Sequence, residues 1–297
     1  MAKAKQSGDR VVPSVVVLGD RIVDEWNDMN VVKLSAEAPV PVVTWAGQPR
    51  RQPGGASLVA AALEEYLGGS GMAVRQPLMF HVGNPVSQKV RYVDVASQQQ
   101  LLRVDRDVTA ESIATEWRKS LAELLAPAAD SVSNIVVVDY DKGAVTDELL
   151  DQLIYWLAGN LTRRLFVHTK RYDWWHSNVG PRATYFFNRS EYDALDRVPL
   201  QRVITDGVDG GWFMLPVEPY RGSWQAYNVA NVRSTCGAGD VFMAATVAKR
   251  VVGATWQRAV DWAAVAAGLT VALPRSEYAT LADVEQAFRG EASAEAA

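Results

Sequence analysis

The sequence predicts an α/β protein built on a doubly wound, mostly parallel sheet. Short all-apolar runs such as Val15-Val16-Val17-Leu18 and Ile135-Val136-Val137-Val138 read as strands buried on both faces. These runs alternate with longer amphipathic stretches, the pattern of βαβ units. A small-residue run, Gly237-Ala238-Gly239-Asp240, opens an alanine-rich stretch, as a loop leading into a buried helix does.

The first strand ends at Gly19-Asp20. From Val31 to Trp45, Pro39 and Pro41 alternate with Val40, Val42 and Val43, which suits an exposed or edge strand, because proline cannot donate to a central ladder. Pro53-Gly54-Gly55-Ala56-Ser57 then leads into a helix from Leu58 to Leu67, stopped by Gly68-Gly69. Partial alternation from Lys89 to Val104 predicts a half-buried strand pair. Helices are expected over Ala110–Leu125 and Thr146–Leu157, with the strand Ile135–Val138 between them. Further strands are expected near 165–167, 184–187 and 202–205, then helices over Asp240–Val252 and Trp256–Leu269. The proline-interleaved strands do not fit the parallel layer and form a separate small β element. The whole chain, 1–297, reads as one domain, with lid-like segments at about 29–48 and 85–105 and a disordered tail over 289–297.

Composition narrows the function classes. With 48% hydrophobic and 22% charged residues the chain is an ordinary globular protein. A net charge of −4 without a basic block argues against nucleic acid or an anionic membrane surface as partner. The lone Cys236 excludes an internal disulfide, and His81, His168 and His176 have no metal-binding spacing. No apolar run approaches the ~20 residues that span a bilayer, and the short polar N-terminus lacks a signal-type apolar region, so a cytoplasmic location is expected.

The chemistry concentrates at Ser234-Thr235-Cys236-Gly237-Ala238-Gly239-Asp240. Small residues at a helix N-terminus let backbone N–H groups approach an anion, and a carboxylate there is placed to take a proton from an attacking hydroxyl. A glycine turn with a capping aspartate reads equally well from these residues alone.

This run resembles the Asp-Thr-x-Gly-Ala-Gly-Asp signature of the ribokinase (PfkB) sugar kinases. LGDRIVDEW, SAEAPVPVV, PGGAS, KVRYVDVASQQQLLRVD, DYDKGAV and NRSEYDAL are similar, in order, to segments of one branch, the kinase domain of the heptose-phosphate kinase/adenylyltransferases. The resemblance implies a ribokinase-like fold with a small β lid, and ATP-dependent phosphoryl transfer, with Mg2+, to a hydroxyl of a sugar or sugar phosphate. Asp240 is then the base, and the N–H groups of Gly237, Ala238 and Gly239 form the anion hole. Asp20, Asp24, Gly54, Gly55 and Lys142 fall on the sugar side. Asn188, Glu191, Thr205 and Gly207 fall on the nucleotide side, with Glu191 organising the metal through water. A homodimer through the lid is also implied. No His-x-Gly-His nucleotidyltransferase run occurs in the sequence.

Several positions depart from the pattern. Ser234 stands for the first aspartate of the signature, Leu58 for a sugar-side asparagine, His168-Thr169-Lys170 for Asp-Pro-Lys, and Ala264 for an asparagine near the adenine. Two stretches are short for the family: Gly71–Lys89 has room for little more than a strand, and a helix is expected to be missing between Asn188 and Arg202. Altered substrate choice fits these departures, and so does a catalytically silent relative that binds a sugar phosphate or nucleotide and acts through its dimer surface. Cys236, inside the loop, is expected to have its thiol pKa lowered by the helix N-terminus, or else to be a buried filler.

Overall fold

The computed structural model describes residues 14–75, 86–108, 132–171, 182–216 and 220–295, and the helix expected over Ala110–Leu125 lies outside them. Strand β1 (Ser14–Gly19) lies one place in from the edge of an eight-stranded sheet. Its companions are β5 (Ala73–Arg75), β8 (Val132–Asp139), β9 (Arg164–Thr169), β10 (Ala183–Asn188) and β11 (Arg202–Thr205), all parallel. An antiparallel hairpin, β12 (Gly211–Leu215) and β13 (Tyr220–Trp224), extends the edge beyond β11. The hairpin was not foreseen, because its strands carry glycines and few β-branched residues.

Strand alternation sorts the core into two layers. Val15, Val17, Val136 and Val138 face helices α1 (Ala56–Tyr66), α4 (Ala238–Val251) and α5 (Trp256–Val271). Val16, Leu18, Ile135 and Val137 face α2 (Asp147–Ala158) on the other side. Each run is therefore apolar at every position, as burial on both faces requires. Thr146 and Thr255 cap α2 and α5, accepting from the N–H of Leu149 and of Arg258.

The lid is a second, five-stranded sheet. Strand β2 (Arg21–Leu34) is fourteen residues long and pairs with β3 (Pro41–Trp45), β4 (Arg50–Gly55) and β6 (Ser87–Asp94), and β6 pairs in turn with β7 (Gln100–Arg106). The lid therefore starts at Arg21, earlier than the prolines suggest. The Pro53-Gly54-Gly55 run ends strand β4. Both glycines let the backbones close in: a Cβ on Gly54 would lie 2.6 Å from the Asp24 carboxylate, and one on Gly55, at φ +55°, would lie 2.5 Å from the Asp20 carbonyl.

Two other expectations change. The stretch from Asn188 to Arg202 holds a short helix, α3 (Arg189–Asp193). The last helix, α6 (Leu281–Glu295), continues past Phe288 into the run expected to be disordered, which alanine and glutamate favour as helix.

Asp20 ties the two sheets together. It is buried between β1 and β2, and its carboxylate accepts from the backbone N–H of Tyr140 (2.7 Å), Lys142 (3.0 Å) and Ala144 (2.9 Å). Burial raises its pKa against the pull of these three donors. Replacement by asparagine sets an NH2 group against donors and leaves at least one buried N–H unmatched. Asp20→Asn is expected to lose about 2–4 kcal/mol of stability by urea denaturation, and a loss below about 0.5 kcal/mol would contradict this role.

Candidate active site

Helix α4 brings Asp240 to the centre of the molecule. Its N-cap, Gly237, has φ +79°, a left-handed conformation that favours glycine, and a Cβ there would lie 2.6 Å from Leu58 Cδ2. Leu58, fully buried on α1, thus supports the underside of the loop and is part of the core. Ser234 keeps the turn in shape, its Oγ accepting from the N–H of Cys236 at 3.2 Å. The Ala238 N–H leans towards the Thr235 carbonyl at 3.4 Å, a long contact. A Cβ on Gly239 would meet nothing within 4 Å, so that part of the loop is open to a ligand.

The Asp240 carboxylate is buried and accepts from the Tyr140 hydroxyl through both oxygens, at 2.9 and 3.0 Å. Burial raises its pKa to about 7; the Tyr140 hydrogen bond and the charges of Lys89 and Lys170 oppose the rise, and Asp24 adds to it. The Tyr140 hydroxyl itself is held well above its ordinary range by burial and by Asp240. Tyr140 carried no weight in the sequence reading. The signal was its position just past β8, at the carboxyl end of a parallel strand, where ligand sites of such sheets gather.

Two cavities flank the loop before α4. One, of about 210 Å³, is lined by Lys170, Asn188, Glu191, Thr205, Gly239 and Asp240. The other, of about 500 Å³, lies under the lid, with Arg91, Arg103, Arg233, Arg275 and Cys236 on its walls. Thr235 lines both. The expected nucleotide-side residues Asn188, Glu191 and Thr205 are therefore gathered with Asp240, Gly237 and Gly239. Gly207 opens the three-residue turn that follows β11, at φ +57°, and does not line the cavity.

Asn188 Oδ1 and both carboxylate oxygens of Glu191 are already engaged. Asn188 Oδ1 accepts from the Glu191 N–H, and Glu191 Oε2 accepts from the Asn188 N–H, each at 2.9 Å, a reciprocal cap on α3. Glu191 Oε1 pairs with Lys170 Nζ. Burial pushes the Lys170 ammonium down. His168, beside it, is lowered to about 4 by burial and by Lys170, so its ring is neutral at pH 7. A carbonyl only accepts, so Nδ1–H donates to the Phe186 carbonyl at 3.2 Å. Among the described residues Nε2 has no partner.

The expected sugar-side residues separate. Asp24 is buried beneath the lid, its Oδ1 2.5 Å from Arg91 Nη1 and its Oδ2 accepting from Ser276 Oγ at 3.3 Å. Asp20 is occupied by backbone N–H groups, and Lys142 Nζ turns away to Asp107 at 2.6 Å, so neither lines either cavity. Gly54 and Gly55 serve the approach of strands. The thiol of Cys236 sits 3.3 Å from Arg91 Nη2, and burial raises its pKa, the reverse of the lowering that its place before a helix suggests.

The known proteins similar to this chain in sequence and fold include carbohydrate kinases. The pattern of the pfkB family carbohydrate kinases matches residues 189–280, the span from α3 to the approach of α6. The bifunctional protein HldE of Nitrobacter winogradskyi is 25% identical over 92% of the chain, and that of Acidiphilium cryptum 26% identical over 87%. The chain is similar to the PfkB family over the span 189–280. It spans 63% and 60% of the length of those two relatives. Phosphofructokinase-2 of Escherichia coli superposes on this chain with a TM-score of 0.68 at 16% identity, covering 94% of it and 98% of the other. Arabidopsis thaliana ribokinase, complexed with ribose and ATP, gives 0.62 at 14% identity, covering 92% and 97%. The shared fold is ribokinase-like, with a large, mostly parallel sheet.

The raised pKa of Asp240 has a stability consequence. A carboxyl whose folded pKa lies above its unfolded value costs nothing below about pH 4. The cost grows as pH rises towards about 7 and is complete above it. Asp240→Asn is expected to be more stable than wild type at pH 8, on the order of 3 kcal/mol, with the gap closing towards pH 4. Thermal or urea unfolding across that range measures it, and a gap that does not depend on pH contradicts the assignment.

Proposed function

We propose that this chain is an ATP-dependent kinase for a sugar or sugar phosphate, with Asp240 as its base. The observation that carries the reading is a buried carboxylate, held by a tyrosine hydroxyl, at the glycine-rich N-terminus of α4, in the smaller of two cavities that share Thr235. The smaller cavity takes the donor's terminal phosphates, with the N–H groups of Gly237 and Gly239 and the ammonium of Lys170 as partners. The larger takes the acceptor, and its arginine-rich walls favour an acceptor that carries an anionic group, as a heptose phosphate does. In the transfer, the acceptor hydroxyl gives its proton to Asp240. Its oxygen forms a bond to the γ-phosphorus, and the bond from that phosphorus to the departing ADP oxygen breaks. Asp240 then returns the proton to solvent.

Among the described residues no cluster of three His, Cys, Asp or Glu side chains exists to grip a metal directly. Both Glu191 oxygens are engaged, so the donor set suits a magnesium ion held by nucleotide phosphates and water, with Glu191 reaching it through water. The ion supplies neutralisation of phosphate charge.

Magnesium-dependent ATP turnover against a panel of sugars and sugar phosphates, heptose 7-phosphate included, tests the reading. Wild type is expected to turn over, faster as pH rises to about 7 and level above it, because the base acts as the carboxylate. Asp240→Asn is expected to lose at least about 10³-fold. Equal inactivity of both on every acceptor overturns the assignment, and nucleotide binding without turnover then favours a silent binding protein.

The reading includes a homodimer formed through the lid. Val32, Leu34, Val43 and Trp45 on β2 and β3 and Leu102 on β7 are exposed on one small sheet, more apolar surface than an isolated lid keeps in water. Light scattering after gel filtration is expected to give twice the chain mass for wild type and the monomer mass for Trp45→Glu. A monomeric wild type at micromolar concentration contradicts the dimer.

A further inference from the structure

The inward face of β6 carries Ser87, Lys89 and Arg91, alternate residues on one side of a strand. Arg91 reaches Asp24 and Cys236 beneath the lid, which fixes that side as facing the site. Lys89 lies directly across from Asp24 in the β2–β6 register and therefore points the same way. Its Nζ sits 4.9 Å from the centre of the Tyr140 ring, the ring whose hydroxyl holds both oxygens of Asp240.

The charges around Asp240 come from several elements. Asp24 on β2 is matched by Arg91 on β6, and Lys170, after β9, is matched by Glu191 on α3. The Cys236 thiol, from the loop before α4, is a neutral neighbour because burial raises its pKa, and so is the His168 ring on β9, 5.4 Å from Tyr140. Tyr140 contributes a neutral hydroxyl. Lys89 differs: among the described residues no carboxylate lies within ion-pair distance of it. An unmatched cation beside a buried carboxylate stabilises its ionised form.

Resting on the kinase reading, we propose that Lys89 is a positioning residue that keeps Asp240 an ionised base while the lid lies over the site, so that lid placement and base activation are one event. The lid delivers the cation. When β6 lifts away, the buried carboxylate loses its unmatched positive neighbour and takes up a proton. A site without its lid then holds less of the carboxylate that accepts the proton of an acceptor hydroxyl. ATP held in an open site is protected from transfer to water by the same device.

The test compares wild type, Lys89→Met and Lys89→Arg. In the pH profile of kcat, the acid-limb midpoint is expected to rise by about one pH unit in Lys89→Met and to stay within about 0.3 unit of wild type in Lys89→Arg. The same midpoints are read without turnover from carbon-13 titration of the Asp240 carboxyl, assigned by its loss in Asp240→Asn. Should wild type phosphorylate nothing, the kinase reading fails while this titration still decides the role of Lys89. A midpoint unchanged in Lys89→Met, or displaced as far in Lys89→Arg as in Lys89→Met, overturns the proposal. If Lys89→Met does not fold, Lys89→Gln replaces it under the same criteria.

Discussion

A carboxylate cut off from water must find donors in the protein, and Asp20 finds three in the backbone of residues 140–144. The segment beyond β8 is thereby gathered around one side chain. Tyr140 is fixed at the place where its hydroxyl spans both oxygens of Asp240, and its ring becomes the surface over which Lys89 and Lys170 approach. Asp20 reaches no ligand cavity, yet the site depends on it. Its neighbour Gly19, at φ +137°, has no room for a side chain, since a Cβ would lie 2.0 Å from the Val138 carbonyl. The two residues hold β1, β8 and the lid in one fixed relation.

Around that junction the chain distributes its labour by strand end. Asp20 follows β1, Tyr140 follows β8, Lys170 follows β9, and Asn188 and Thr205 close β10 and β11. All lie at the carboxyl edge of parallel strands, where backbone ends converge on a crevice. Helix α4 enters from the opposite layer. Its body, from Val241 to Ala248, is core, while its first turn meets the crevice. One helix thus joins the least polar part of the molecule to the most polar, which explains how Asp240 comes to be so deeply desolvated.

Much of this was legible beforehand. Runs of valine and isoleucine announce strands buried on both faces without reference to their partners, and the Gly237–Asp240 run marks a helix terminus by its lack of side chains. Asp240, Glu191, Asn188 and Thr205 converge as their motifs suggest. What the sequence hides is competition for side-chain atoms. Nothing in LGDRIVDEW distinguishes an aspartate that waits for a sugar from one already taken by three N–H groups or by Arg91. Lys142 looked available until Asp107 came beside it. Tyr140, Lys89 and His168 act through neighbours far away in the chain, a relation that no local pattern encodes. The Cys236 thiol shows the balance most plainly, because burial outweighs the helix terminus there, and burial is a property of the fold.

The way the lid is rooted has a mechanical consequence. β2 leaves the main sheet at Asp20, and β4 returns to it at Gly55, where the Ala56 N–H donates to the Asp20 carbonyl at 2.9 Å. These two roots, stitched side by side, define an axle, and β2 and β4 are arms rigidly laddered to each other beyond it. Any tilt about that axle is magnified with distance. Asp24 and Gly54, close to it, travel least, whereas Leu34 and Pro41 at the far end travel most. Lys89 stands across from Asp24, and the ladder between β2 and β6 makes it travel with the lid rather than stay with the main sheet. The far edge carries the exposed apolar side chains, so whatever grips the lid there works at the greatest mechanical advantage.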